Sequence, residues 1–80
     1  MTEAEVSTNI GRIDAVVKTG DAIYIFEFKL RDSAEAALAQ IKDKGYADRY
    51  RTDGRLITLI GVAFDQDKRN LGSFLTERLA

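Results

Sequence analysis

Neither cysteine nor histidine occurs among the 80 residues of this chain. Without cysteine there is no disulfide framework and no thiolate site. Without histidine, His-based metal sites, Ser-His pairs and histidine general bases are excluded. Any hydrolysis by this chain has to use carboxylates, lysine, metal and water. Long apolar runs are missing as well: no stretch approaches the length of a membrane span, and Met1-Thr-Glu-Ala-Glu-Val6 lacks the basic start and apolar stretch of a signal peptide. A soluble, cytoplasmic protein without membrane contact is the expectation. Charge of one sign is not in excess, since the net charge is −1. That argues against a protein that coats nucleic acid nonspecifically and leaves room for a local basic face.

The 45% hydrophobic and 31% charged residues are a globular composition. Low-complexity segments, internal repeats and linkers are absent, so residues 1–80 read as a single domain. A core this small is marginal, and a partner would help it. The most informative segment is Ala22-Ile-Tyr-Ile-Phe-Glu-Phe-Lys-Leu30. Side chains alternate across a strand, and here Ile23 and Ile25 lie on one face with Tyr24 and Phe26 on the other, so the strand is covered on both sides. Glu27 and Lys29 continue the row of Ile23 and Ile25. An uncompensated ionised side chain there costs several kcal/mol, on the order of a small domain's total stability. The row therefore opens onto a cleft, a metal or a partner charge.

Ile10 to Lys18 is a second strand-like run, and Thr19-Gly20-Asp21-Ala22 is a turn signal suited to a type II′ hairpin loop. With Gly20 and Asp21 as the loop, Thr19 faces Ala22, Val16 faces Ile25 and Asp14 faces Glu27. Directly opposed side chains have Cβ atoms roughly 4.5 to 5.5 Å apart, where two carboxylates repel unless a cation lies between them. Such a pair suits a shared divalent ion with oxygen ligands. A slip of one residue would move Asp14 to the other face. The spacing is equally compatible with ordinary charges on an exposed hairpin, paired with Arg12 and Lys29.

Beyond the hairpin the period changes. Asp32 with Glu35 resembles a capping box, and Ala34, Ala37, Leu38, Ile41 and Gly45 recur at helical spacing, which predicts a helix from residue 33 to about 50 with a small-residue stripe against a sheet. Gln40 falls on the flank of that stripe, one turn before Lys44. Gly54 ends the connection, and Arg55 to Phe64 is apolar on both faces apart from Thr58, as in a central parallel strand reached by a right-handed crossover. In the tail from Asn70 to Ala80, Leu71, Phe74, Leu75 and Leu79 fit the spacing of a helix. Basic residues gather at Lys42, Lys44, Arg49, Arg51 and Arg55. Of these Lys42, Lys44 and Arg49, together with Tyr46, are candidate nucleic-acid contacts, although solvated charges and a packing tyrosine are the plainer reading. Gly11, Gly45 and Gly61 are isolated, and no phosphate-cradling loop can be built from them.

The residues Gly11-Arg-Ile-Asp14 and Ile25-Phe-Glu-Phe-Lys29 resemble the signature of the PD-(D/E)XK nuclease superfamily, an acidic residue on one strand and Glu-x-Lys on the next. The longer run Phe26-Glu-Phe-Lys-Leu30, Ser33-Ala-Glu-Ala-Ala-Leu-Ala-Gln-Ile41 and Lys42-Asp-Lys-Gly-Tyr46 is similar to a nuclease-like domain found at the C-terminal end of bacterial proteins with an ATPase-like N-terminal part. The likeness runs from about Glu5 to Leu75 and, against the helical spacing, suggests a short strand for the tail from Asn70 to Ala80. It implies an α/β, restriction-endonuclease-like minimal core: a β-hairpin, a helix crossover and a parallel strand in a mixed sheet. It also implies a Mg²⁺- or Mn²⁺-dependent nuclease, with DNA the expected substrate, in which Asp14, Glu27 and the backbone carbonyl of Phe28 hold metal. Lys29 would then orient or deprotonate the attacking water, and Gln40 would position water or phosphate. Domains of this kind carry a helix and more strand ahead of the acidic position, whereas nine residues precede Ile10 here. The expectation is therefore either a fragment attached to an ATPase-like domain or a homodimer completing its fold with a second copy. A catalytically inactive module that binds nucleic acid or protein, or a purely structural interaction unit, is the alternative.

Overall fold

The computed structural model describes residues 2–9, 12–30, 32–65, 67 and 70–79. Five strands form one mixed sheet in sequence order: β1 (Glu3–Asn9), β2 (Arg12–Lys18), β3 (Ala22–Lys29), β4 (Leu56–Asp65) and β5 (Asn70–Arg78). The β1–β2, β2–β3 and β4–β5 pairs are antiparallel, and the central β3–β4 pair is parallel. The connection between the parallel strands carries the one α-helix among the described residues, α1 (Ala34–Asp43), and a 3₁₀ turn, η1 (Tyr46–Tyr50). Parallel neighbours need such a crossover, and it delivers α1 onto one face of the sheet.

The β2–β3 hairpin has the expected register: Val16 opposes Ile25 and Asp14 opposes Glu27. The turn itself is not type II′, because Gly20 is not among the positive-φ glycines. The Thr19 side chain shapes it instead, its hydroxyl accepting from the Ala22 amide at 3.0 Å and donating to the Asp21 carboxylate at 3.1 Å. The helix starts and stops later and earlier than its periodicity suggests. Its cap is Ser33 rather than Asp32, with Ser33 Oγ accepting from the Ala36 amide at 3.0 Å, while Asp32 accepts from the Ser33 amide. It ends at Asp43 because Gly45 adopts φ of 64°, a left-handed conformation that glycine reaches without steric cost, and only the tighter η1 follows.

Beneath α1 lies the core: Ile23 and Ile25 from β3, Ile57 and Leu59 from β4, Ile41 from the helix, and Ala47 and Tyr50 from η1, with Val16, Leu38 and Leu79 packed around them. The tail resolves as a strand, β5, with the Leu79 amide bonding to the Ile57 carbonyl at 2.8 Å. It therefore extends the sheet edge instead of covering a face. Of the two strands beyond the hairpin-and-crossover core, β5 settles the tail in favour of the strand alternative over the helix, while β1, polar along most of its length, was not anticipated because local pattern alone is weak there.

The second face of the sheet carries Tyr24, Phe26 and Phe28 beside Ile60 and Val62, with Ala15, Val17 and Val6 across β2 and β1 and Phe74 on β5. No described helix covers it. Phe74 and Val6 remain 68% and 64% exposed.

Candidate active site

The site is built where β3 carries its charges under the first half of α1. Alternation along β3 sends Ile23, Ile25, Glu27 and Lys29 to the helix-covered face, the first three at or below 1% exposure. Glu27 is thus a carboxylate at the floor of the packed layer, in line with isoleucines. Its antiparallel partner is Asp14, half-buried on β2. Its parallel partner is Gly61 on β4. Lys29, also half-buried, follows one step along the same row, and its Nζ donates to Gln40 Oε1 at 2.7 Å. Residues from β2, β3 and α1 therefore meet at one place: Asp14 and Glu27 side by side, Lys29 next along the strand, and Gln40 reaching down from the helix flank.

Each of the four sequence-predicted residues falls in this cluster. Gln40 is not a solvent-facing helix position but a half-buried acceptor for Lys29. Phe28 sits in the ladder between Ile13 and Val62, with its ring stacked on Phe26 on the opposite face, centroids 5.9 Å apart.

The candidate nucleic-acid contacts are not brought together in the same way. Lys42 is engaged by Glu77 of β5 at 2.6 Å, on the side of α1 away from Lys29. Lys44, half-buried at the helix C-cap, follows Gln40 by one turn. The side chains of Tyr46 and Arg49 lie outside the described residues. Tyr50 is a packing residue at 9% exposure, with Lys18 Nζ 5.1 Å above its ring.

Gly61 went unrecognised as part of this site. A Cβ built on it would lie 2.6 Å from the Ala34 carbonyl oxygen and 2.6 Å from the Leu38 amide nitrogen. The signal was present: a lone glycine inside an apolar strand marks close approach of another backbone.

A mixed sheet with a helix crossover that brings an acidic residue on one strand against Glu-x-Lys on the next defines the restriction-endonuclease-like α/β class. The chain belongs to the PD-(D/E)XK nuclease superfamily, whose family model matches residues 1–74. Members of that superfamily generally use divalent metal ions and act on nucleic acid. The chain is also 47% identical over 77 residues to an uncharacterized protein in the vnfD 5′ region of Azotobacter chroococcum mcd 1, covering 94% of this chain. It spans 15% of the length of that relative. No solved structure matches it. Among the described residues no helix is long and apolar enough to cross a membrane.

Proposed function

We propose that this chain is the core of a metal-dependent nuclease, with DNA as its expected substrate, in which Asp14, Glu27, Lys29 and Gln40 form the reactive set. The observation that carries this is the β2–β3 register, which places Asp14 opposite Glu27 on the helix-covered face, one step from the Lys29–Gln40 bond. Among the described residues no group of three or more acidic side chains converges. Two carboxylates plus a backbone carbonyl and water still fit Mg²⁺ or Mn²⁺, since small hard cations are commonly held through one or two carboxylates and keep several waters. Asp14, Glu27 and the Phe28 carbonyl would hold the ion. When bound, such an ion polarises a phosphate oxygen and lowers the pKa of a bound water.

The remaining work falls to the side chains. A lysine ammonium has three donors. The bond to Gln40 occupies one of them and fixes the direction of the others, which are then available to orient the attacking water and to offset negative charge on the phosphorane-like transition state. Packing under α1 keeps Glu27 dry, so the charges that surround the phosphate act in a low-dielectric setting where each is worth more than in water. The direct test is incubation of the protein with single-stranded, branched and duplex DNA and with RNA, in Mn²⁺ and in EDTA. Metal-dependent cleavage of at least one substrate is expected. Failure on the whole panel would replace the nuclease with a nonenzymatic nucleic-acid- or protein-binding module.

The uncovered face bears on assembly. Five strands about 4.8 Å apart and seven to ten residues long present on the order of 600 Å² of sheet. Two copies would thus bury on the order of 1,000 Å², the lower bound for a specific interface. Among the described strand residues of that face only Arg78 is charged, and the exposed Phe74 projects from the wall of a depression of about 460 Å³ that it lines together with Phe26, Phe28, Ile60 and Val62. A knob and a hole on one surface satisfy a two-fold axis. We therefore propose a homodimer through this face. Light scattering at micromolar concentration is expected to give twice 8.9 kDa, and Phe74→Glu to give the monomer. A well-folded wild-type monomer would exclude the dimer and leave the face to another segment of a longer chain.

A further inference from the structure

We propose that Gly61 is a positioning residue of this site: by letting the backbone of α1 rest directly on β4 beside Glu27, it sets the depth at which Gln40 meets Lys29. The inference rests on the nuclease reading for its functional meaning, but its geometry is independent of it. Gly61 is buried and is the parallel partner of Glu27. The atoms that a Cβ there would strike are main-chain atoms of the first turns of α1, at 2.6 Å, 2.6 Å and 3.1 Å. No rotamer change can clear them. Van der Waals contact between carbon and such atoms is comfortable at about 3.5 Å, so an alanine would lift this part of the helix by on the order of 1 Å.

The helix surface is made to permit the close seat. Ala34 and Ala37, 1% and 0% exposed, put only methyl groups against the sheet near Gly61. Gln40 lies on the same rigid helix, about 9 Å beyond Ala34 and about 3 Å beyond Leu38 at 1.5 Å per residue. Its bond to Lys29 is short at 2.7 Å and spans from helix to strand, so a lift of about 1 Å carries it beyond hydrogen-bonding distance. A misplacement of about 1 Å at a reactive group can cost on the order of 100-fold in rate. Lys29 would then lose the contact that fixes its direction, while Asp14 and Glu27, both on strands, would keep theirs.

The test compares Gly61→Ala with wild type, with Gln40→Ala, and with Gly20→Ala, a glycine whose added Cβ meets nothing within 4 Å. Lysine reactivity toward reductive methylation is read residue by residue by mass spectrometry, with Lys18, over Tyr50 and away from α1's flank, as the internal reference. In Gly61→Ala, Lys29 is expected to become several-fold more reactive, as in Gln40→Ala, with Lys18 unchanged and Gly20→Ala like wild type. Stabilisation by Mn²⁺ should persist, and cleavage should fall about 100-fold. A folded Gly61→Ala whose Lys29 stays as protected as in wild type overturns the proposal. So does a variant that fails to fold even with a stabilising osmolyte, since the glycine would then serve the fold as a whole. If Lys29 is selectively exposed but wild type cuts nothing, the positioning stands and the nuclease reading falls.

Discussion

Lys29→Ala is expected to lower cleavage by about 100- to 10,000-fold, the range for loss of a positioned proton-transfer or charge-stabilising group, while Mn²⁺ still raises the melting temperature at least as much as in wild type. The two readouts separate because of where the charge lies. Lys29 is two residues from Glu27 on the same strand face, about 7 Å along the strand. Its ammonium therefore repels an incoming cation at the carboxylate pair, and removing it favours the ion. The variant also leaves the half-buried Gln40 carbonyl without its donor, a loss of about 1–3 kcal/mol in folding stability. A variant that keeps most of its rate, or that loses its response to Mn²⁺, would remove Lys29 from the role assigned to it.

Asp14→Asn and Glu27→Gln are expected to abolish the response to metal altogether. An ion that binds only the folded wild type stabilises it by about 2.7 kcal/mol at a hundredfold excess over its Kd, which for a chain of this size is on the order of ten degrees in Tm. Each substitution removes one anionic ligand of a pair whose Cα positions are directly opposed. It also relieves like-charge repulsion, so the metal-free Asp14→Asn protein should melt at or above metal-free wild type. Glu27→Gln gains less, because its amide has to find hydrogen-bond partners at 0% exposure. Differential scanning fluorimetry with and without Mn²⁺ decides this: mutants that gain as much as wild type would rule out a shared ion between the two carboxylates.

Much of the site was legible in the chain because its elements are local. Alternation along Ala22–Lys29 and a two-residue loop determine which side chains share a face, and both are read directly from adjacent residues. The register was right although the turn type was not, since the Thr19 hydroxyl supplies what the turn needs without a positive φ at Gly20. The helix was placed but overextended, because helical spacing continues through Gly45 while the backbone there turns left-handed. The first edge strand went unseen, and the last was left between helix and strand, for a related reason. Glu3–Asn9 and Asn70–Arg78 become strands by pairing with β2 and β4, and that pairing is not encoded in their own pattern.

The sequence by itself determined the chemistry available: carboxylates and lysine in place of histidine and cysteine, with Asp14, Glu27 and Lys29 set on adjoining strands by alternation and loop length. Tertiary structure alone decided how deep each charge lies and what touches it. Glu27 is dry because α1 crosses above it, and Lys29 is directed because Gln40 arrives from eleven residues away. The second depends on the helix seating so close to Gly61 that an added Cβ would strike backbone atoms of α1. Backbone contacts of that kind depend on the packing of whole elements, which no local spacing of side chains records.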